Sequence, residues 1–193
     1  LICANANVSM TAALSGKLKD PDWKRLAVAQ ERLSKSRISI DDSAKITPAE
    51  ILSKCRRIKS RNGGQLDLVM IDYIQLMSSG RKNDENRTLE VASITRDLKM
   101  IAKELQVPII ALSQLKRLKA GEKSSLSDLR ESGAIEQDAD IVMFIDRNVD
   151  AADTMTSSAA ELRIAKHRNG ECGTLPLRFK GELTKFVDAE KEG

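Results

Sequence analysis

Leu66-Asp67-Leu68-Val69-Met70-Ile71-Asp72 is the stretch that decides the fold. From Leu66 to Ile71 it is almost continuously apolar, the pattern of a strand buried on both faces of a parallel sheet, where helices cover each side and alternation is lost. Working outward, Thr47-Pro48-Ala49-Glu50 is a capping box with proline in the first turn. It predicts a helix with Ile51, Leu52, Cys55 and Ile58 on one face, stopped by Asn62-Gly63-Gly64. On the other side a polar stretch, Ser78 to Arg87, leads into a long helix from about Thr88 to Gln106. Its core stripe is Val91, Ile94, Leu98, Ile101 and Leu105, spaced by alternating threes and fours. Val107 to Leu112 reads as the next buried strand and Ile141 to Ile145 as another. Strand, helix, strand with short links implies right-handed crossovers and an α/β fold with a mainly parallel sheet.

The flanks have a different texture. Asp20-Pro21-Asp22 predicts a helix start with Asp20 as N-cap, and the spacing that follows places Trp23 and Leu26 in the interior. Arg37 to Asp41 alternates like a short strand. Towards the C-terminus, Glu161 to Arg168 and Thr174 to Lys180 flank Asn169-Gly170-Glu171-Cys172-Gly173, a glycine-punctuated turn that favours a β-hairpin. Thr184 to Asp188 suits a last short strand, and Arg147 to Ser158, without periodicity, a loop. The 193 residues suit a single domain, 1–193, with no internal repeat.

Hydrophobic residues make up 41% and charged residues 31%, the balance of a globular protein. A net charge of +4 and a pI near 9.0 are compatible with a nucleic-acid partner without requiring one. No apolar run is long enough to span a bilayer and no signal peptide opens the chain, so a cytoplasmic location is expected. Cys3, Cys55 and Cys172 have no metal-ligand spacing and read as reduced thiols. The chain opens without methionine on Leu1-Ile2-Cys3-Ala4, the texture of a helix already under way, so a piece of a longer protein is expected.

Asp72 ends its strand at the carboxyl edge, where α/β folds place their ligands, and a hard cation such as Mg2+ takes oxygen donors there. P-loop ATPases present a carboxylate in this way; a capping or salt-bridged aspartate fits the same residues. The next strand ends in Ala111-Leu112-Ser113-Gln114, whose amide either senses a γ-phosphate or simply faces a loop. Lys116, Arg117, Lys119 and Lys123 follow, with Gly121 and several serines. A loop of that kind tracks a phosphate backbone or is ordinary solvated surface. With aromatic residues at 3% and none in this segment, any single-strand binding would rest on the backbone and show little sequence preference.

Asp128-Leu129-Arg130-Glu131-Ser132-Gly133 then leads to Ile135-Glu136-Gln137-Asp138-Ala139-Asp140. Gly133 allows close approach of a backbone amide to a phosphate, and a capped helix start accounts for the same residues. Lys166 and Arg168 stand at alternate positions near the hairpin tip, hence on one face, with His167, the only histidine, on the other. A guanidinium there either reaches a neighbouring subunit's nucleotide or stays in solvent.

Each motif is common alone; their order is not. Leu68 to Met77 (LVMIDYIQLM) resembles the Walker B segment of the DnaB replicative helicase family. Asn86-Arg87-Thr88-Leu89-Glu90, Ala111-Leu112-Ser113-Gln114-Leu115, Ser127 to Gly133 and Lys166-His167-Arg168-Asn169-Gly170 match that family in its own order. The resemblance covers essentially the whole chain. It implies a RecA-like ATPase core, truncated before its N-terminal strands, and a hexameric ring around single-stranded DNA.

By the same resemblance Asp72 holds the Mg2+ water shell, Gln114 couples the γ-phosphate of ATP to the DNA loops, and Lys166 and Arg168 act in trans on the next subunit's ATP. Arg130, Glu131 and Gly133 match the loop that meets the DNA backbone, Glu131 through its backbone amide or by positioning Arg130. A primase and a helicase loader are implied as partners. No G-x-x-x-x-G-K-S/T sequence occurs, and Gly16-Lys17 follows no glycine-rich loop, so the chain alone is expected not to hydrolyse ATP. The family's catalytic glutamate is expected upstream of Leu1, and its N-terminal collar domain is not expected within these residues. A RecA-type recombinase-like ATPase and a non-catalytic nucleic-acid or protein-binding module are the competing readings.

Overall fold

The computed structural model describes residues 1–80, 86–116, 122–129, 133–147 and 157–189. Its helices are α1 (Ile2–Ala6), α2 (Met10–Leu14), α3 (Asp20–Ser34), α4 (Pro48–Arg61), α5 (Arg87–Leu105) and α6 (Gly133–Asp138). Its strands are β1 (Val69–Ile71), β2 (Ile109–Ala111), β3 (Ile141–Arg147), β4 (Ser157–His167), β5 (Gly173–Lys180) and β6 (Lys185–Asp188). They fall into two compact units, one drawn from residues 42–142 and 165–170, the other from 1–41, 143–164 and 171–193.

In the first of these units, Thr47 opens α4 as its sequence requires. Its Oγ1 accepts from Glu50 N at 3.3 Å while Glu50 Oε2 accepts from Thr47 N at 2.8 Å, so two orphan amides are satisfied at once. α5 buries the whole expected stripe, Val91, Ile94, Leu98, Ile101 and Leu105. With Ile51 and Cys55 of α4 and with Ile71, Ile74 and Met77, these residues form the principal core. β1 and β2 pair in parallel with Ile71 opposite Ala111, so both chains leave the sheet at the same edge. Burying all of Val91 and Ile94 is worth about 1.5–3 kcal/mol each, which makes α5 the anchor of that edge.

The expected two-sided burial of the strands is not observed. α4 and α5 cover the face of β1 that carries Ile71, while Met70 on the other face keeps 61% of its surface exposed. β3 likewise buries Val142 and Phe144 and exposes Ile141, Met143 and Ile145. A continuous apolar run shows that a strand can be covered twice; coverage itself depends on which elements pack there.

In the second unit, α1 and α3 pack through small residues, with Ala6, Val8 and Ala29 buried and Leu18 and Leu26 partly so. This corrects the reading of Trp23, which is 61% exposed: the close approach of Ala29 to α1 turns the indole outward. The N-cap is Lys19 rather than Asp20, its amide donating to Asp22 Oδ2 at 2.9 Å. Arg37 to Asp41 forms no strand, because alternation without a ladder partner leaves the backbone unpaired.

The C-terminal hairpin is as expected. β4 and β5 pair antiparallel, β6 adds to β5, and the sheet order is β3-β4-β5-β6. Phe179 and Phe186 pack with ring centroids 4.8 Å apart, and the Arg147 guanidinium lies 4.4 Å above Phe179. Arg147 and Ser157–Ser158 therefore belong to strands rather than to the expected loop, whose residues 148–156 lie outside the described residues.

Candidate functional site

The parallel pairing of β1 and β2 sets Asp72 and Gln114 along one carboxyl edge. Beyond the strands the two chains stay stitched together: Leu112 N donates to Ile71 O at 2.9 Å and Ile74 N to Leu112 O at 3.0 Å. Ile74, almost fully buried, pins the segment after Asp72 to the core. The Asp72–Tyr73 peptide is cis. Asp72 itself is exposed and, among the described residues, its carboxylate has no hydrogen-bond or ion-pair partner. The capping and salt-bridge alternatives therefore find no partner here. No cluster of three or more His, Cys, Asp or Glu residues forms a metal site among the described residues. A lone edge carboxylate suits Mg2+, which keeps most of its waters and takes one or two protein oxygens beside substrate phosphates.

Gln114 is exposed, and its position comes from Gln75, a residue to which sequence reasoning gave no role. Gln75 Oε1 accepts from Gln114 N at 3.2 Å, and its Nε2 donates to Ser113 Oγ at 2.9 Å. One side chain thus fixes the end of β2 against the turn that follows β1. Arg87 completes the frame by donating to Gln75 O at 2.8 Å and Met77 O at 3.4 Å while pairing with Glu90. Glu90 in turn accepts from Ser79 N at 3.1 Å. The sequence held a signal for this. A cation in the first turn of α5 opposes the helix dipole, so Arg87 stands there for the carbonyls it reaches.

Lys166 and Arg168 are brought together with the C-terminal end of α6. Lys166 Nζ donates to Glu136 O at 2.5 Å. Arg168 donates through NH2 to Gln137 O and through NH1 to Asp140 Oδ1, both at 3.3 Å, and its backbone N donates to Asp140 O at 2.8 Å. Cations capping the open carbonyls of a helix C-terminus are favourable through hydrogen bonds and dipole alike. The hairpin tip is thus tied to α6, with Arg168 still about half exposed.

α5 holds the same corner from behind. Thr95 Oγ1 donates to Asp138 Oδ2 at 2.8 Å, and Lys99 pairs with Asp140 Oδ2. The Lys99 ammonium, with Arg168 and Lys103 further off, holds the Asp140 carboxyl below the usual carboxylate range. Next in the chain, the His167 ring occupies the space a side chain at position 170 would need, which explains Gly170.

Of the expected DNA-loop residues, Arg130 and Glu131 lie outside the described residues, as do Arg117, Lys119 and Gly121. Gly133 is the exposed first residue of α6, with open space around it. Lys116 is tied down, its backbone N donating to Asp128 O at 2.8 Å and its Nζ to Ser127 O at 3.2 Å. Asp128 caps its own turn, accepting from Ser125 N at 2.8 Å; the Ser125 hydroxyl and amide hold its carboxyl below the usual range. Cys3, Cys55 and Cys172 are free thiols, and burial pushes that of Cys55 up. No described helix is long and apolar enough to cross a membrane.

Comparison with known proteins agrees with this geometry. The model of the DnaB-like helicase C terminal domain matches residues 1–188. Replicative DNA helicase DnaC of Bacillus subtilis (strain 168) is 45% identical over 196 residues, covering 99% of this chain and 42% of that protein. Replicative DNA helicase DnaB of Geobacillus stearothermophilus is 43% identical over 195 residues, with the same coverage. A solved DnaB-like replicative helicase, described with its interactions with primase, superposes at a TM-score of 0.88 and 41% identity, covering 98% of this chain and 46% of that one. A solved ATPase domain superposes at 0.89 with 39% identity, covering 98% of this chain and 69% of its own. The chain thus spans less than half the length of the curated relatives it matches. From the α/β core to the ordered motifs along its edge, it belongs to the DnaB-like helicase C-terminal domain family.

Proposed function

We propose that this chain is the larger part of the motor domain of a hexameric replicative DNA helicase, which couples ATP hydrolysis to movement along single-stranded DNA. The observation that carries the reading is the uncommitted Asp72 carboxylate on the edge it shares with Gln114. A buried or paired aspartate would have served the fold; an exposed, unpaired one at the sheet's ligand edge is available to a cation.

The roles follow from placement. Asp72 would hold Mg2+, which when bound would neutralise charge on the nucleotide's phosphates. Gln114, its backbone locked by Gln75, presents its amide to the γ-phosphate and links that contact to the basic segment from Lys116 onward. ATP, when bound, supplies the free energy released on cleaving its γ-phosphate. Lys166 and Arg168, held at the end of α6, act on the nucleotide of the next subunit in the ring, where the planar fork of Arg168 neutralises developing phosphate charge. Arg130 and the Gly133 amide hold the DNA backbone, with Glu131 contributing its amide or positioning Arg130. Residues 1–193 act as one motor domain. Because no phosphate-binding loop is encoded in them, they do not turn over ATP by themselves. Single-stranded DNA, further copies of the chain, a primase and a loader are the partners, in the cytoplasm.

The DNA contact is tested with Arg130→Ala in the full-length protein. Affinity for single-stranded DNA is expected to fall at every sequence, and the slope of log K against log salt to become shallower by about 0.7. Unchanged affinity and slope would remove Arg130 from the interface. A recombinase-like ATPase would instead form filaments on DNA and fail to unwind a forked duplex. A passive binding module would show no DNA-stimulated turnover in the full-length protein.

A further inference from the structure

We propose that Asp140 is a positioning residue for Arg168. Its carboxylate, tethered to α5 by Lys99, holds the guanidinium in the orientation from which it reaches a neighbouring subunit's nucleotide. The inference rests on the trans-acting role of Arg168 proposed above and adds a residue to which that reading assigned nothing.

The two oxygens of Asp140 are divided between two cations, Oδ1 to Arg168 and Oδ2 to Lys99. The Asp140 main-chain carbonyl also accepts from the Arg168 amide at 2.8 Å, so backbone and side chain are aligned by the same residue. The neighbouring turn repeats the arrangement, Thr95 holding Asp138 while the α6 carbonyls hold Lys166 and the second guanidinium nitrogen. Thr95 and Lys99 lie one turn apart on a helix whose adjoining stripe is the centre of the core. Asp140 is therefore braced against a rigid element.

An arginine acting across a subunit boundary loses rate if it must be ordered anew at each encounter. The contacts here pre-order it. They commit only part of its donor fork, and both Arg168 and Asp140 remain about half exposed, at 51% and 53%, so a phosphate can approach the remaining N–H groups. The same helix serves both ends of this one unit. α5 grips the turn after Asp72 through Arg87 at one end and carries Lys99 towards the other.

The test uses the full-length ring. Asp140→Asn keeps the shape and removes the charge. It is expected to lower kcat for ATP about ten- to a hundredfold, less than loss of Arg168 itself, with KM changed little. Mixed rings then distinguish positioning from a purely structural effect. Asp72→Asn subunits carry an intact Asp140–Arg168 pair and Asp140→Asn subunits an intact Asp72, so mixing the two is expected to restore turnover above either alone.

Lys99→Met, which removes the tether and leaves the Asp140–Arg168 pair, is expected to lower kcat about threefold at unchanged KM, through loss of pre-ordering alone. Wild-type kcat in Asp140→Asn beside an inactive Arg168→Ala overturns the positioning role alone. Mixed rings that recover nothing place the Asp140 defect inside its own subunit and also overturn it. Wild-type turnover in Arg168→Ala removes the trans reading and this inference together.

Discussion

Replacing Arg168 with alanine in the full-length ring is expected to cut ATP turnover about a thousandfold while nucleotide affinity stays near that of the unaltered protein. The two effects separate because Arg168 belongs, by the proposed reading, to the neighbour's site and acts on charge that develops only in the transition state. Within its own subunit it caps α6 and pairs with Asp140, contacts that are half exposed and worth little to stability. The ring should therefore assemble and bind DNA. Arg168→Lys should recover little, because an ammonium lacks the planar fork. Steady-state turnover and a fluorescent-nucleotide titration on the same preparation check both halves. Normal turnover in an intact ring would end the trans-finger reading.

Asp72→Asn is the second large effect. Asparagine keeps the size and one oxygen but loses the charge that a hard cation prefers. Turnover is expected to fall at least about a hundredfold, and the Mg2+ concentration for half-maximal rate to rise. Since the carboxylate is exposed and unpaired among the described residues, the fold loses nothing when it is neutralised. Unfolding by urea should leave the midpoint where it was. A lowered midpoint, or an unchanged Mg2+ requirement, would turn Asp72 back into a structural residue.

These two sites differ in how they could be read. The position of Asp72 was legible because a strand, its polarity and its terminal residue are all local. A run from Leu68 to Ile71 followed by a carboxylate places that carboxylate at a ligand edge in any parallel sheet. Lys166 and Arg168 were legible only as two cations on one face of a hairpin. Their partners, Glu136, Gln137 and Asp140, lie about thirty residues upstream, and the brace from Lys99 still further. Gln75 and Arg87 were missed for the same reason. What they hold lies across a strand crossover or back over a turn, and the only local mark of it is Arg87, a cation in the first turn of α5.

Burial and pairing follow the same rule. Trp23 is large and apolar at helical spacing, yet α3 is seated by Ala29, whose small side chain allows close approach to α1. Arg37 to Asp41 had the alternation of a strand and lacked a partner, which no alternation supplies. β1 had the composition for two covered faces and received one. By itself, then, the sequence determined where α4, α5 and the hairpin form, which stripe of α5 is buried, and through the order of its motifs the family. Those properties depend on residues a few positions apart. The tertiary structure alone decided which charges meet, which strand faces are covered, and that Arg168 stands on a brace. Those depend on contacts between segments distant in the chain, and such contacts exist only once the fold has closed.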